Sequence, residues 1–293
     1  MIYLSRFQFP GRELEYSFTM NQKRTCYDTF YPFLVLSKHC LEMLDFEPVT
    51  ILYGGNGSGK TTALNVIAEK LGLERDTLYN RSNFFEEYTK LCSCQGGDGS
   101  GNRRAPRMPK GSRIITSDDV FDFMLNLRSI NDGIDRKREE LFEDYLENKY
   151  SHFTMRSMDD YEQLKKVCLA RSNTQSKYVR RNLMDNVREH SNGESAFLYF
   201  TDKIKENGLY LLDEPENSLS PAKQQELLKF LEDSARFFGC QFIIATHSPF
   251  LLSMRGAKIY DMDEDVVDVK RWTELENVKS YYHFFKKYEG EFE

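Results

Sequence analysis

Residues 54–61, Gly-Gly-Asn-Gly-Ser-Gly-Lys-Thr, restrict the fold of this chain more than any other stretch. They match the pattern G-x-x-x-x-G-K-[ST], which has its meaning only between a strand and a helix. The stretch 48–53 is apolar and β-prone, whereas 62–71 has helical spacing and ends at Gly72. We therefore expect a strand, a glycine loop and a helix in this order.

The glycine loop predicts a site for a nucleoside triphosphate. Glycines allow backbone N–H groups to surround a phosphate, and the helix N-terminus adds partial positive charge. Lys60 would contact the β- and γ-phosphates, and the Thr61 hydroxyl would hold Mg²⁺. The expected nucleotide-binding residues of this loop are Gly54, Gly55, Asn56, Gly57, Ser58, Gly59, Lys60, Thr61 and Thr62.

Length and charge narrow the class of protein. A chain of 293 residues with 40 % hydrophobic residues forms one large α/β domain or a domain with an insertion. The net charge of −6 argues against a globally basic nucleic-acid binder and leaves local basic patches open. The first residues lack the features of a signal peptide, and no apolar stretch reaches 18 residues. We expect a cytosolic protein that does not enter a membrane.

The hydrophobic pattern changes along the chain and predicts two parts. We expect an ATPase core over 1–79 and 188–293, where strands alternate with helices as in a mostly parallel sheet. Residues 80–187 are expected to form a largely helical insertion with a flexible Gly/Pro/Arg loop at about 95–113. Near the N-terminus, residues 2–9 and 13–19 both alternate in polarity and predict two strands.

Two stretches in the expected insertion are basic. Five basic residues and no acid lie between Gly99 and Ser117, and six basic residues and no acid lie between Gln163 and Met184. Such runs are more often solvated surface than nucleic-acid sites, and the residues alone leave both interpretations open. The residues that would contact DNA are Arg103, Arg104, Arg107, Lys165, Lys166, Arg180 and Arg181.

A second motif completes the expected nucleotide site. The apolar stretch 209–212 ends at Asp213, which is followed by Glu214. A carboxylate at the end of a buried strand would lie beside the glycine loop, where Asp213 can hold Mg²⁺ through water. Glu214 is then placed to activate the attacking water as a general base.

Two further motifs carry a resemblance to a known family. Residues 190–195, His-Ser-Asn-Gly-Glu-Ser, precede Asp213 by about 20 residues, and residues 245–249, Ala-Thr-His-Ser-Pro, follow another apolar run. In this order they resemble the signature and the switch histidine of ATP-binding-cassette (ABC) ATPases. The resemblance implies that Ser191, Gly193 and Glu194 contact nucleotide, and that His247 contacts its γ-phosphate.

The chain resembles more narrowly the short bacterial AAA family ATPases of the ABC/SMC-like kind, which include DNA-repair and overcoming-lysogenisation relatives. This resemblance implies an α/β P-loop NTPase with an ABC-ATPase-type core, a mostly parallel sheet, an antiparallel N-terminal strand region and an inserted helical subdomain. It also implies catalysis by Lys60, Glu214 and His247, with ATP and Mg²⁺. In this family the signature acts on ATP held by the opposite subunit, so a homodimer is expected.

The resemblance leaves two functions open. One is a switch in nucleic-acid maintenance or antiphage defence. The alternative is a regulatory ATPase that holds a toxin or nuclease partner without binding DNA. Because the sequence ends soon after the last ATPase element, we expect such an effector to be a separate protein. A transporter motor is disfavoured by the SMC-like form of residues 213–217, Asp-Glu-Pro-Glu-Asn.

Overall fold

The computed structural model describes residues 1–23, 27, 29–97, 106–153, 160–183 and 192–292. The chain divides into two compact units, unit 1 (Met1–Phe121 and Asn192–Glu293) and unit 2 (Asp122–Ser191). The expected boundaries near 80 and 188 stay a prediction, as does the flexible loop at 95–113, of which residues 98–105 lie outside the described part. No helix in the described ranges is long and apolar enough to cross a membrane.

Within the described residues, unit 1 holds all the strands and most of the helices. The strands are β1 (Leu4–Gln8), β2 (Met43–Asp45), β3 (Val49–Tyr53), β4 (Ser93–Gly96), β5 (Arg113–Thr116), β6 (Leu209–Asp213), β7 (Gln241–Thr246), β8 (Lys258–Asp261) and β9 (Asp268–Val269). Its helices are α1 (Arg12–Asn21), α2 (Lys60–Leu71), α3 (Phe85–Leu91), the start of α4 (Ser117–Tyr150), α7 (Asn192–Lys203), α8 (Pro221–Phe237), α9 (Pro249–Leu252) and α10 (Glu276–Lys287).

The main sheet has the order β5-β6-β7-β3-β8-β9, and its first five strands are parallel. Every residue of β3, β6 and β7 is buried, as expected for parallel strands that are covered on both faces. The strand register places Asp213 opposite Ala245 and Thr246 opposite Tyr53. The ends of β6, β7 and β3 therefore lie at one edge of the sheet, and the predicted mostly parallel sheet is confirmed.

A smaller antiparallel sheet has the order β2-β1-β4. It confirms an antiparallel region around the N-terminal strand. The buried side chain of Gln241, on β7, connects the two sheets. Its Oε1 atom accepts hydrogen bonds from the Tyr3 and Leu4 amides at 2.7 and 2.9 Å, and its Nε2 atom donates to the Leu4 carbonyl.

The predicted second strand at 13–19 is wrong, because these residues form helix α1. Alternation misled the prediction, since the apolar residues Leu14 and Tyr16 are 58 % and 57 % exposed. The side chain that α1 buries completely is Glu15. Its two oxygens accept hydrogen bonds from the Leu34 amide, the Ser37 hydroxyl and the Tyr88 hydroxyl, at 2.5, 2.7 and 3.0 Å.

Unit 2 is helical in its described part. It contains the rest of α4 together with α5 (Tyr161–Ser172) and α6 (Gln175–Asn182). A small core joins these three helices through Tyr145, Ala170 and Tyr178. The Tyr178 hydroxyl also donates a hydrogen bond to Asp144 at 2.6 Å.

The buried carboxylate of Glu15 gives a prediction about stability. Glu15→Ala leaves the donors at Leu34, Ser37 and Tyr88 without an acceptor. We expect it to lower the free energy of unfolding by about 3 kcal/mol or more, because each unsatisfied buried donor costs about 1–3 kcal/mol. Urea unfolding followed by circular dichroism measures the change. The exposed neighbour Glu13 supplies the control, and Glu13→Ala should stay within about 0.5 kcal/mol of the unchanged protein. Equal stability of the two variants would contradict this role of Glu15.

Candidate functional site

The glycine loop lies between β3 and α2, as the sequence predicts. Gly57 and Gly59 have φ values of 87° and 91°, a region that suits glycine. Space also requires glycine at the loop entrance, because a Cβ atom on Gly54 would lie 2.6 Å from Ser58 Oγ. Backbone conformation and crowding together explain why this loop is glycine-rich.

Lys60 is 4 % exposed and folds back over the loop. Its Nζ atom donates hydrogen bonds to the carbonyls of Gly54 and Gly55, at 2.7 and 2.8 Å. The ammonium group is therefore held within the loop. Next along α2, the Thr62 hydroxyl accepts a hydrogen bond from the Tyr31 hydroxyl at 3.2 Å.

Thr61 and Asp213 meet although 152 residues separate them. The Thr61 hydroxyl donates to Asp213 Oδ1 at 3.1 Å. Asp213 is 7 % exposed, and burial raises its pKa to about 6, partly opposed by the Thr61 hydrogen bond. The negative charge of nearby Glu214 contributes to the same increase in pKa.

The donors fit a magnesium–nucleotide complex. Mg²⁺ at nucleotide sites takes one or two protein oxygens and completes its shell with phosphate and water. Thr61 and Asp213 supply such oxygens, and the buried Ser58 Oγ has no hydrogen-bond partner among the described residues. No group of three or more His, Cys, Asp or Glu side chains that could hold a metal ion by itself occurs within the described ranges.

Glu214 follows Asp213 in a backbone conformation with φ of 48°. This left-handed region is strained for a residue other than glycine, and such strain is concentrated at functional sites. Its amide donates to the Ala245 carbonyl at 2.9 Å, and its Oε2 atom accepts from Asn217 at 2.9 Å. The carboxylate is thus held at the sheet edge beside the end of β7.

His247 directly follows β7 and is 45 % exposed at its side chain. Its Nδ1 atom lies 3.4 Å from Glu216 Oε1 and 4.0 Å from Glu214 Oε1. Its carbonyl accepts a hydrogen bond from the Asn277 side chain at 3.1 Å. The histidine therefore lies among groups from two other segments of unit 1.

The signature residues are placed only in part. Ser191 lies outside the described residues, whereas Gly193 and Glu194 lie in the first turn of α7. A Cβ atom on Gly193 would lie 3.7 Å from the Ser218 carbonyl, so α7 begins beside the loop that leads into α8. The roles of all these residues stay predictions.

The predicted DNA-binding residues are exposed where they are described. Arg107 is in unit 1, and the remaining four lie on α5 and α6 of unit 2; Arg103 and Arg104 lie outside the described residues. The residues of unit 2 are Lys165, Lys166, Arg180 and Arg181. Exposure alone does not distinguish a DNA site from solvated surface.

Two residues near the site were not singled out by the sequence: Asp263 and Asn277. The single N–H of Gly55 donates a bifurcated hydrogen bond to both carboxylate oxygens of Asp263, at 2.7 and 2.9 Å. Together with His247 and Asn277, Asp263 lines a cavity of about 500 Å³ beside the glycine loop. A third residue, Glu216, had a signal in the sequence, since it lies two residues after Glu214 in the run Asp-Glu-Pro-Glu.

Residues 112–253 match the model of the AAA_21 family, whose description names an AAA domain, the AbiEii toxin and type IV toxin–antitoxin systems. The match includes β6, α7 and His247, and it covers just under half of the chain. Over these residues the chain is similar to that family. No curated protein matches it.

Solved structures with a similar fold include SMC heads and ABC cassettes. The SMC head of Pyrococcus furiosus with an extended coiled coil, bound to the ScpA C-terminal domain, is 13 % identical, covers 98 % of this chain and 99 % of its own, with a TM-score of 0.45. The SMC head of Thermotoga maritima is 12 % identical, with coverage of 92 % and 98 % and a TM-score of 0.39. A nucleotide-free cassette from an ABC transporter is 16 % identical, with coverage of 82 % and 87 % and a TM-score of 0.40.

The raised pKa of Asp213 predicts how one substitution changes stability with pH. Folding favours protonated Asp213, because its pKa is about 6 in the folded protein and 3.8 when exposed. This contribution is complete below pH 3.8 and is lost as the pH rises through about 6. At pH 8 the buried charge therefore costs the nucleotide-free protein on the order of 3 kcal/mol.

Asp213→Asn removes this charge and keeps an oxygen for Thr61. We expect it to raise the thermal unfolding midpoint at pH 8, with a much smaller effect at pH 4.5, as measured by differential scanning fluorimetry. The exposed Asp202 on α7 is the control, and Asp202→Asn should change little at either pH. A lower midpoint for Asp213→Asn at pH 8 would contradict this account.

Proposed function

We propose that the protein binds and hydrolyses ATP with Mg²⁺ and thereby acts as a cytosolic molecular switch. The observation that carries this proposal is the convergence of Lys60, Thr61, Asp213, Glu214 and His247 at one edge of the parallel sheet. These residues come from three motifs that lie up to 187 positions apart. In parallel sheets, ligands bind outside the carboxyl ends of the strands, where these side chains meet.

Each residue has a task in the proposed reaction. Lys60 exchanges its two loop carbonyls for phosphate oxygens, and Thr61 and Asp213 hold the cation, which neutralises charge on the phosphates. Glu214 accepts a proton from the attacking water, while His247 contacts the γ-phosphate, as its resemblance to the switch histidine implies. The hydrolysis products are ADP and phosphate.

We propose further that two copies of the chain sandwich two ATP molecules. This assembly follows from the ABC-like signature, in which Ser191 and Gly193 of one subunit would bind the γ-phosphate held by the other. The start of α7 is suited to an anion, because a helix N-terminus carries partial positive charge. Each active site would then be complete only in the dimer.

The proposed dimer predicts the behaviour of Glu214→Gln. This variant should still bind ATP but should hydrolyse it about 100-fold more slowly or worse, because it lacks the general base. It should therefore accumulate as an ATP-bound dimer, measurable by size-exclusion chromatography with light scattering. Glu206→Gln, at an exposed position before β6, is the control and should hydrolyse ATP normally. A Glu214→Gln protein that binds ATP and remains monomeric contradicts the dimer, whereas normal hydrolysis contradicts the role of Glu214.

The process that the switch serves is a separate proposal. We favour nucleic-acid maintenance or antiphage defence, which rests on the ABC/SMC-like resemblance and on the exposed basic residues of α5 and α6. The alternative is a module that controls a separate toxin or nuclease without binding DNA. It is supported by the toxin–antitoxin description of the AAA_21 family, which matches residues 112–253.

Neutralising basic residues of α5 and α6 distinguishes these functions. If DNA binds there, a variant with four alanines should lose DNA-stimulated ATP hydrolysis and retain its basal rate, because phosphate contacts supply most of nonspecific DNA affinity. The four positions are Lys165, Lys166, Arg180 and Arg181. A control variant neutralises four exposed lysines of unit 1, namely Lys229, Lys279, Lys286 and Lys287. Absence of any DNA stimulation in the unchanged protein favours the toxin or nuclease partner, which co-purification with mass spectrometry would then identify.

A further inference from the structure

We propose that Glu216 is a positioning residue that fixes the backbone and the imidazole orientation of His247 for hydrolysis. The proposal rests on the proposed function, since it assigns Glu216 a part in the same reaction. Glu216 lies in the segment between β6 and α8, two residues after the proposed general base. Its side chain points away from solvent and is 5 % exposed.

A single oxygen of Glu216 holds the turn that contains the histidine. Its Oε1 atom accepts hydrogen bonds from the Thr246 hydroxyl at 2.6 Å, the His247 amide at 3.0 Å and the Ser248 amide at 3.2 Å. These donors belong to three consecutive residues at the end of β7. Hydrogen bonds to an ionised acceptor are the stronger ones, so the carboxylate fixes the backbone from which the imidazole projects.

The same oxygen is the carboxylate oxygen closer to the imidazole. The distance from His247 Nδ1 is 3.4 Å to Glu216 and 4.0 Å to Glu214. A nearby carboxylate favours the tautomer with the proton on Nδ1, because the N–H group then faces the negative charge. Glu216 would thereby orient the ring and leave Nε2 as the hydrogen-bond acceptor on the side of the nucleotide site.

The second oxygen of Glu216 points to a role beyond holding the turn. Oε2 is buried and has no hydrogen-bond partner among the described residues. Buried polar atoms are nearly always paired, and an unpaired oxygen on a buried carboxylate is costly. A carboxylate that only held the turn could satisfy both oxygens, so the unpaired oxygen indicates a functional constraint on Glu216.

Other contacts connect this turn to its surroundings. The Ser248 hydroxyl donates to Gln224 Oε1 at 2.6 Å, and Gln224 Nε2 donates to the Leu219 carbonyl at 3.0 Å. On the opposite side, Asn277 donates to the His247 carbonyl at 3.1 Å. The histidine turn is thus attached to the 214–220 segment through both Glu216 and Gln224. Movement of that segment would be transmitted to the histidine.

The first test compares ATP binding with turnover. Glu216→Gln keeps one oxygen acceptor but loses the charge. It should lower kcat by about 10- to 100-fold, the usual effect of losing a partner that orients a functional histidine. The dissociation constant for ATP should change by less than about threefold, since the hydrogen bonds of the Glu216 carboxylate are with the turn at His247 and not with the glycine loop. Glu216→Ala should lower kcat further, and Glu206→Gln should match the unchanged protein.

Two outcomes of this test overturn the proposal. One is an unchanged kcat for Glu216→Gln. The other is an equal loss of kcat and ATP affinity together with a lower thermal unfolding midpoint, which would indicate a structural role only.

The second test does not depend on activity. Nitrogen-15 NMR of the histidine rings, with His247 assigned through His247→Asn, should show the Nδ1–H tautomer in the unchanged protein and a shift toward Nε2–H in Glu216→Gln. The same tautomer in both proteins would overturn the orienting role. If the unchanged protein does not hydrolyse ATP but the tautomer shifts, the proposed function fails while the positioning of His247 by Glu216 stands.

Discussion

The contact between Thr61 and Asp213 is the one on which the geometry of this site depends. It joins the first turn of α2 to the end of β6, although β7 lies between β6 and β3 in the sheet. The parallel register makes this possible, because it brings the ends of all three strands to one edge. The same arrangement buries the Asp213 carboxylate, and burial raises its pKa to about 6. The proposed cation, if bound at this position, would offset the cost of the buried charge.

Side chains outside the proposed catalytic set hold that set in place. Glu216 and Asn277 hold the turn at His247, and Asp263 holds the Gly55 amide at the start of the glycine loop. All three act on backbone groups of loops at the carboxyl edge of the sheet. Such support matters because loops position reacting groups less precisely than strands do. The sheet and these side-chain contacts together hold the loops at its carboxyl edge in one arrangement.

The part of the fold near the motifs could be predicted from the sequence. The strands β3, β6 and β7 are largely apolar runs, and each ends at one of the motifs. Both their burial and their ends could therefore be predicted. Helix α1 was missed because the alternation of polar and apolar residues in it does not follow their burial. Glu15 is buried, and one of its hydrogen-bond partners is the distant Tyr88. Likewise, Glu216 meets Thr246 across 30 positions and Asp263 meets Gly55 across 208. Contacts of this range depend on the packed chain and leave no local pattern.

The central claim is that each ATP site is shared between two copies of the chain. Mixing two inactive variants tests it most directly: Lys60→Ala, which damages the glycine loop, and Gly193→Asp, which damages the signature. In a mixed dimer one site carries both defects and the other carries neither. The account predicts that equal amounts of the two variants regain ATP hydrolysis, up to about a quarter of the unchanged rate, because half of the dimers would be mixed. A mixture as inactive as its components, with mixed dimers demonstrated by differently tagged subunits, would contradict it.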